Sequence, residues 1–228
     1  MRGSSGLAEL ARRALERPDA VSVMQDAVAL VARALEVEHV TILELGPGDD
    51  ALRLRAGVGW GGGVAGTTVD AMPGGHVAFT LASEEPVVVV DMASETRFNV
   101  SPQLLADGVC SSLSVRVPSG GSTPYGVIGA HTTELREFGA REIGILQSVA
   151  AVVGGAIANQ RRALEVHDGV LQALVVAHYA LDTGDAGKAA AAIRTAHDGA
   201  RSLVEELLGP SSTEPLPGDL RRRGPASE

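Results

Sequence analysis

Between Asp19 and Val58 the apolar positions change period. Val21, Met24, Val28, Val31 and Leu35 recur every three or four residues, the spacing of one helix face, and Asp19 behind Pro18 is placed to cap that helix. His39 to Leu45 then alternates with period two, with Val40, Ile42 and Glu44 on one side and Thr41, Leu43 and Leu45 on the other, which predicts a strand. Gly46-Pro47-Gly48-Asp49-Asp50 is a turn, and Ala51 to Val58 alternates again as a second strand. A glycine-rich loop carrying Trp60 follows. Gly75 to Ser83 reads as a short helix, Pro86 opens the apolar strand Val87-Val88-Val89-Val90, and Leu104-Leu105 mark another short helix. Cys110 to Val117 and Tyr125 to Thr133 have the spacing of an antiparallel hairpin.

From Gly139 the helical period returns, through Ile143, Leu146, Ala150, Val153 and Ile157. No proline occurs from Tyr125 through Gly209, so nothing there kinks a long helix. Two seams run side by side, one of Leu164, His167, Leu171, Leu174, His178 and Leu181, the other of Ala163, Val166, Val170, Ala173, Ala177 and Ala180. Asp182-Thr183-Gly184-Asp185 breaks the run, and Ala189, Ile193, Ala196, Ala200, Leu203 and Leu207 predict a second helix. A lone hairpin of this size buries too little surface, so the pattern predicts a homodimer built on a four-helix bundle. The chain reads as α+β. An N-terminal helix covers 1–18, an antiparallel sheet flanked by helices covers 19–160, the C-terminal helical hairpin covers 161–209, and a disordered tail rich in Pro, Ser, Gly and Arg covers 210–228.

Composition narrows the partners. One Trp, two Tyr and three Phe leave an aliphatic core, and a net charge of −9 argues against a nucleic-acid binder, which needs a basic face. Cys110 is the sole cysteine, which excludes a disulfide framework or a Cys-based zinc cluster and suits a reducing cytoplasm. The longest apolar run, Val149 to Ala158, is too short to cross a bilayer, and no signal peptide precedes the first helix. The expectation is a soluble, cytoplasmic protein that binds neither membrane nor nucleic acid.

One constellation names a chemistry. His167, Asp168 and Gln172 place an imidazole beside an acid, with an amide five residues after the histidine; on a helix Asp168 and Gln172 share a face. The imidazole can accept a phosphoryl group, the acid can orient the ring and take its proton, and the amide can orient water. His197-Asp198 repeats the dipeptide, but Ser202 stands where the amide would be, so it reads as surface.

The run Ala78 to Asp91, Glu95-Thr96-Arg97-Phe98, the run Gly126 to Thr133, Phe138 and Leu146-Gln147-Ser148-Val149-Ala150 together resemble a GAF sensor domain over roughly Val21 to Gln160. That resemblance implies a GAF-like sheet with a cavity toward which Trp60, His76, Phe79, Cys110, Tyr125 and His131 are placed as candidate ligand-binding residues. His76 would be the axial ligand of a haem, for which the chain has few lining aromatics. Cys110 is followed by Ser111 instead of the histidine common in bilin-binding sites, and the Asn-Lys-x-Asp pattern of cyclic-nucleotide domains is missing. The cofactor is left unknown, and the pocket holds an unidentified small molecule or nothing.

Ala163 to Leu208 resembles the dimerisation and phosphoacceptor domain of sensor histidine kinases of the His-Asp-x-x-x-Gln subclass in bacteria. This resemblance makes His167 the phosphoacceptor, Asp168 its acid–base neighbour and Gln172 the amide of dephosphorylation. An ATP-binding domain would follow in that family, and here a Pro-rich tail does. The resemblance therefore implies a two-component signalling protein served by a separate kinase and a response regulator. The alternatives are a truncated kinase, or a non-catalytic GAF dimerisation module with a vestigial hairpin.

Overall fold

The computed structural model describes residues 2–16, 19–46, 51–60, 66, 68–70 and 73–208. Contacts divide the chain into two compact units, Met1–Gln160 and Arg161–Glu228. The turn residues 47–50, the glycines at 61–63 and the expected tail lie outside the described residues.

The first unit is built on a six-stranded antiparallel sheet. In chain order its strands are β1 (His39–Leu45), β2 (Ala51–Val58), β3 (Thr68–Asp70), β4 (Val87–Val89), β5 (Ser111–Val117) and β6 (Gly126–Thr132), and they lie side by side as β3-β2-β1-β6-β5-β4. The first hairpin and the last thus meet in the middle, where β1 pairs with β6 from His39↔His131 to Glu44↔Gly126. The hairpin ends are one residue shorter than the alternation suggested: Cys110 precedes β5, and Tyr125 and Thr133 flank β6. β3 carries only three residues and gave no periodic signal of its own. Between Ile42 and Leu43 the register on β2 skips Arg55, which pairs with Glu44 at 3.7 Å.

Period two assigns the faces. Val40, Ile42, Leu113, Val115, Ile128 and Ala130 form one side and are buried against three helices. These are α1 (Arg2–Glu16), α2 (Ala20–Leu35) and the beginning of α5 (Ala140–Asp182). Asp19 caps α2 as its sequence position suggested, accepting hydrogen bonds from the amides of Val21 and Ser22 at 3.0 and 3.3 Å. Leu146, Val149, Val153 and Ile157 of α5 complete this core. The opposite side carries two short helices, α3 (His76–Ala82) and α4 (Pro102–Ala106), over a smaller cluster of Val87, Val89, Met92, Phe98 and Val109.

Helix α5 runs 43 residues, and an 18-residue window within it reaches a mean hydropathy of 1.4. Length and apolarity are therefore those of a bilayer-crossing helix, which the short run Val149–Ala158 did not announce. Its apolar residues from Leu146 to Ile157 are core of the first unit, which accounts for that composition.

The second unit is a hairpin of the later part of α5 and α6 (Ala186–Leu208). Gly184 turns the chain at φ 77°, and the Asp185 carboxylate accepts the Lys188 amide at 2.9 Å to cap α6. Ala173, Ala177 and Ala180 are buried on α5, and Ala189, Ala192 and Ala196 on α6. The expected α6 seam needs correcting: Ile193 and Ala200 are exposed and Ala192 is buried. Alanine is small enough to let two helices approach closely, so the alanine rows take the inside of the hairpin. The leucine seam is left outside, with Leu171 48%, Leu174 49% and Leu181 61% exposed.

Candidate functional site

Register across the middle of the sheet places polar residues in a row. Ser112 on β5 pairs with His131 on β6, which pairs with His39 on β1, so all three share the α3 face. Two residues along, Ser114 opposes Gly129, which opposes Thr41. Gly129 has a steric reason to lack a side chain, because a Cβ there would lie 2.7 Å from His131 Nε2.

Helix α3 brings His76 down onto this row. Its Nε2 lies 2.9 Å from Ser114 Oγ, which lies 3.0 Å from Thr80 Oγ1, and that hydroxyl donates to the His76 carbonyl at 2.9 Å. The His76 ring stacks on Phe98 with centroids 4.7 Å apart and 13° between planes, and meets His131 edge-on at 6.2 Å. Arg97 lies over Phe79 and Phe98 at 5.7 and 6.0 Å. Its charge is already answered by Glu95 at 2.5 Å and by the Val88 carbonyl at 2.7 Å. That guanidinium and the backbone amides of Thr96 and Arg97 lower the Glu95 carboxyl to about 2.

Trp60 covers the other end. Its Nε1 donates to the Val40 carbonyl at 3.2 Å, and its ring sits 4.6 Å from His39 and 5.6 Å from His131. Gly59 sets this corner at φ 87°, and a Cβ on it would lie 1.9 Å from the Glu38 carbonyl and 2.8 Å from His39 Nδ1.

Burial controls the charge of the row. Desolvation lowers His76 to about 4; Glu95 opposes the shift and Arg97 adds to it. Desolvation also lowers His131 to about 3, with His76 and His39 adding to it. Both rings are neutral at neutral pH. Along this row three buried polar atoms have no hydrogen-bond partner among the described residues: Ser112 Oγ, His131 Nδ1 and His39 Nδ1. Each such atom costs about 1–3 kcal/mol relative to a satisfied one.

Of the six residues singled out from sequence, Trp60, His76, Phe79 and His131 come together here. Cys110 does not: it is half-buried ahead of β5, with Sγ 3.6 Å from the Gly108 carbonyl. Tyr125 does not either, since it is buried in the larger core with α2 and α5. Sequence reasoning missed His39, Thr80, Phe98, Ser112 and Ser114. Period two could have found the serines, because Ser112 and Ser114 alternate with the core residues Leu113 and Val115. A groove of about 350 Å³ lies elsewhere in this unit, between Glu84, Arg116 and Pro118 on one side and Gln147 and Ala151 of α5 on the other. It includes none of the histidine row.

The phosphoacceptor candidates sit in the second unit. His167, Asp168 and Gln172 are all exposed on α5. His178 is exposed and pairs with Asp182 at 3.1 Å, and His197 is exposed and pairs with Asp198 at 3.3 Å.

The GAF domain family model matches residues 19–157. Among solved structures, the GAF domain of an Acinetobacter phosphoenolpyruvate-protein phosphotransferase is 20% identical with a TM-score of 0.59, covering 69% of this chain and 93% of that one. The phycoerythrobilin-bound GAF domain of a cyanobacterial phytochrome is 18% identical with a TM-score of 0.58, covering 71% and 97%. The free methionine-R-sulfoxide reductase of Neisseria meningitidis, in complex with its substrate, is 19% identical with a TM-score of 0.59, covering 71% and 91%. No curated protein matches the chain.

The sheet, its flanking helices and the family match define a GAF sensor domain fold, a class that is generally ligand-binding and signalling. The chain belongs to the GAF domain family, through residues 19–157.

Proposed function

We propose that this protein is a two-component signalling sensor that works as a cytoplasmic homodimer. A small molecule binds the histidine-lined face of the GAF sheet. Binding biases the rotation or register of α5, which starts in the sensor core and ends in the hairpin, and so changes the exposure of His167. A separate ATP-binding kinase supplies the phosphoryl group, His167 takes it while Asp168 orients the ring, and Gln172 positions the water for hydrolysis. A receiver aspartate is the next acceptor. The observation that carries this reading is the exposed trio His167, Asp168 and Gln172 beside an uncovered leucine seam on a helix shared with the sensor. A second copy covering that seam completes a four-helix bundle.

The test is phosphoryl labelling. The full chain, incubated with labelled acetyl phosphate and with histidine-kinase catalytic domains plus labelled ATP, is expected to gain label that is lost in His167→Ala. Gln172→Ala is expected to keep the label longer. No label from any donor, or equal label in His167→Ala, would leave a non-catalytic dimerisation module instead.

A further inference from the structure

Resting on the sensor reading above, we infer that the Gly59–Trp60 corner is a displaceable plug, and that the GAF face beneath it takes an uncharged, flat, fused nitrogen heterocycle. The three unsatisfied atoms, Ser112 Oγ, His131 Nδ1 and His39 Nδ1, stand on adjacent strands in one register row. Neighbouring strands are about 4.8 Å apart, so the row spans roughly 10 Å, which suits the polar edge of a two-ring base. A hydroxyl donates or accepts, and so does the neutral His131 imidazole, so the row can read a mixed donor and acceptor edge.

The same row argues against a charged guest. His76 and His131 are neutral, and Arg97 is answered by Glu95 and the Val88 carbonyl, so none of these three offers a buried charge a free counter-charge. Flatness comes from the walls. His76 is stacked on Phe98, and Trp60, itself a fused two-ring system, rests at 4.6 Å from His39. The indole thus occupies the place of the guest while satisfying none of the three polar atoms, since its only N–H is given to Val40. A guest that hydrogen-bonds the row gains what the indole forgoes.

Trp60 is the only tryptophan in the chain, so its fluorescence reports on the plug directly. Hypoxanthine, adenine and lumazine are titrated into the full chain by calorimetry, and Trp60 emission is followed with hypoxanthine and adenine. At least one is expected to bind, with the emission shifting to the red. Trp60→Gly is expected to bind it at least fivefold more tightly. Ser112→Ala and His131→Leu should weaken it tenfold or more while circular dichroism shows the fold intact. Absence of binding to both wild type and Trp60→Gly at millimolar base overturns the inference, as does binding that ignores both Ser112→Ala and His131→Leu. Binding of AMP, haem or biliverdin alone, with none of the free bases, also overturns it but leaves the sensor reading standing. Labelling of His167 is read separately.

Discussion

His76 and His131 are imidazoles that burial keeps neutral, and this makes the sensor unit sensitive to acid. Their folded values, about 4 and about 3, lie below the ordinary 6.5, so the unfolded chain takes up protons first as pH falls. Their contribution to stability is full above about pH 7 and is lost progressively from about 6.5 down through 4 and 3. Urea unfolding between pH 7.5 and 4 should show the midpoint falling, and His76→Gln should flatten that fall; an equal fall in the variant contradicts the assignment. Backbone proximity acts at the same scale. A Cβ on Gly126 would lie 1.8 Å from the Leu43 carbonyl, where β6 meets β1. Gly126→Ala is therefore expected to cost about 3 kcal/mol or more, measured by denaturant unfolding. The reason that Gly126 is a glycine could not be read from the chain, because it lies in a strand partner more than eighty residues away. His76 and His131 could be nominated as polar residues in apolar surroundings, but their partners could not.

Elements were legible where one period ran long enough. The cap at Asp19, the alternation of β1 and the seam opening α5 all declare themselves within a dozen residues, because local sterics and one buried face set them. β3 is three residues long and shows no period. The histidine row was half legible: Trp60, His76, Phe79 and His131 were marked by their side chains, whereas Ser112 and His39 join them through pairing between distant strands. Cys110 and Tyr125 were misplaced because each lies at a strand end, where alternation no longer fixes the direction. In the hairpin both seams were legible, but which faced inward was decided by side-chain size. Ala177→Leu should therefore force α5 and α6 apart and lower the hairpin's stability by about 1–3 kcal/mol, seen as loss of helical signal on heating. An unchanged melt would put Ala177 outside the hairpin interface.

At the scale of the whole molecule, a GAF domain is followed by a helical hairpin, the proposed acceptor, whose leucine seam is uncovered in one chain. Leu171, Leu174 and Leu181 are about half exposed or more, and apolar stripes of that kind call for a partner. Polar residues at the seam would abolish that partnering without touching the alanine rows that hold each hairpin together. The four-helix bundle, as proposed, requires the second copy, so the mass of the full chain in solution tests it at its root. Light scattering coupled to size exclusion should give twice 23.3 kDa for wild type and 23.3 kDa for Leu174→Asp, with helical content unchanged. A monomeric wild type, or a Leu174→Asp chain that stays dimeric, would contradict the account.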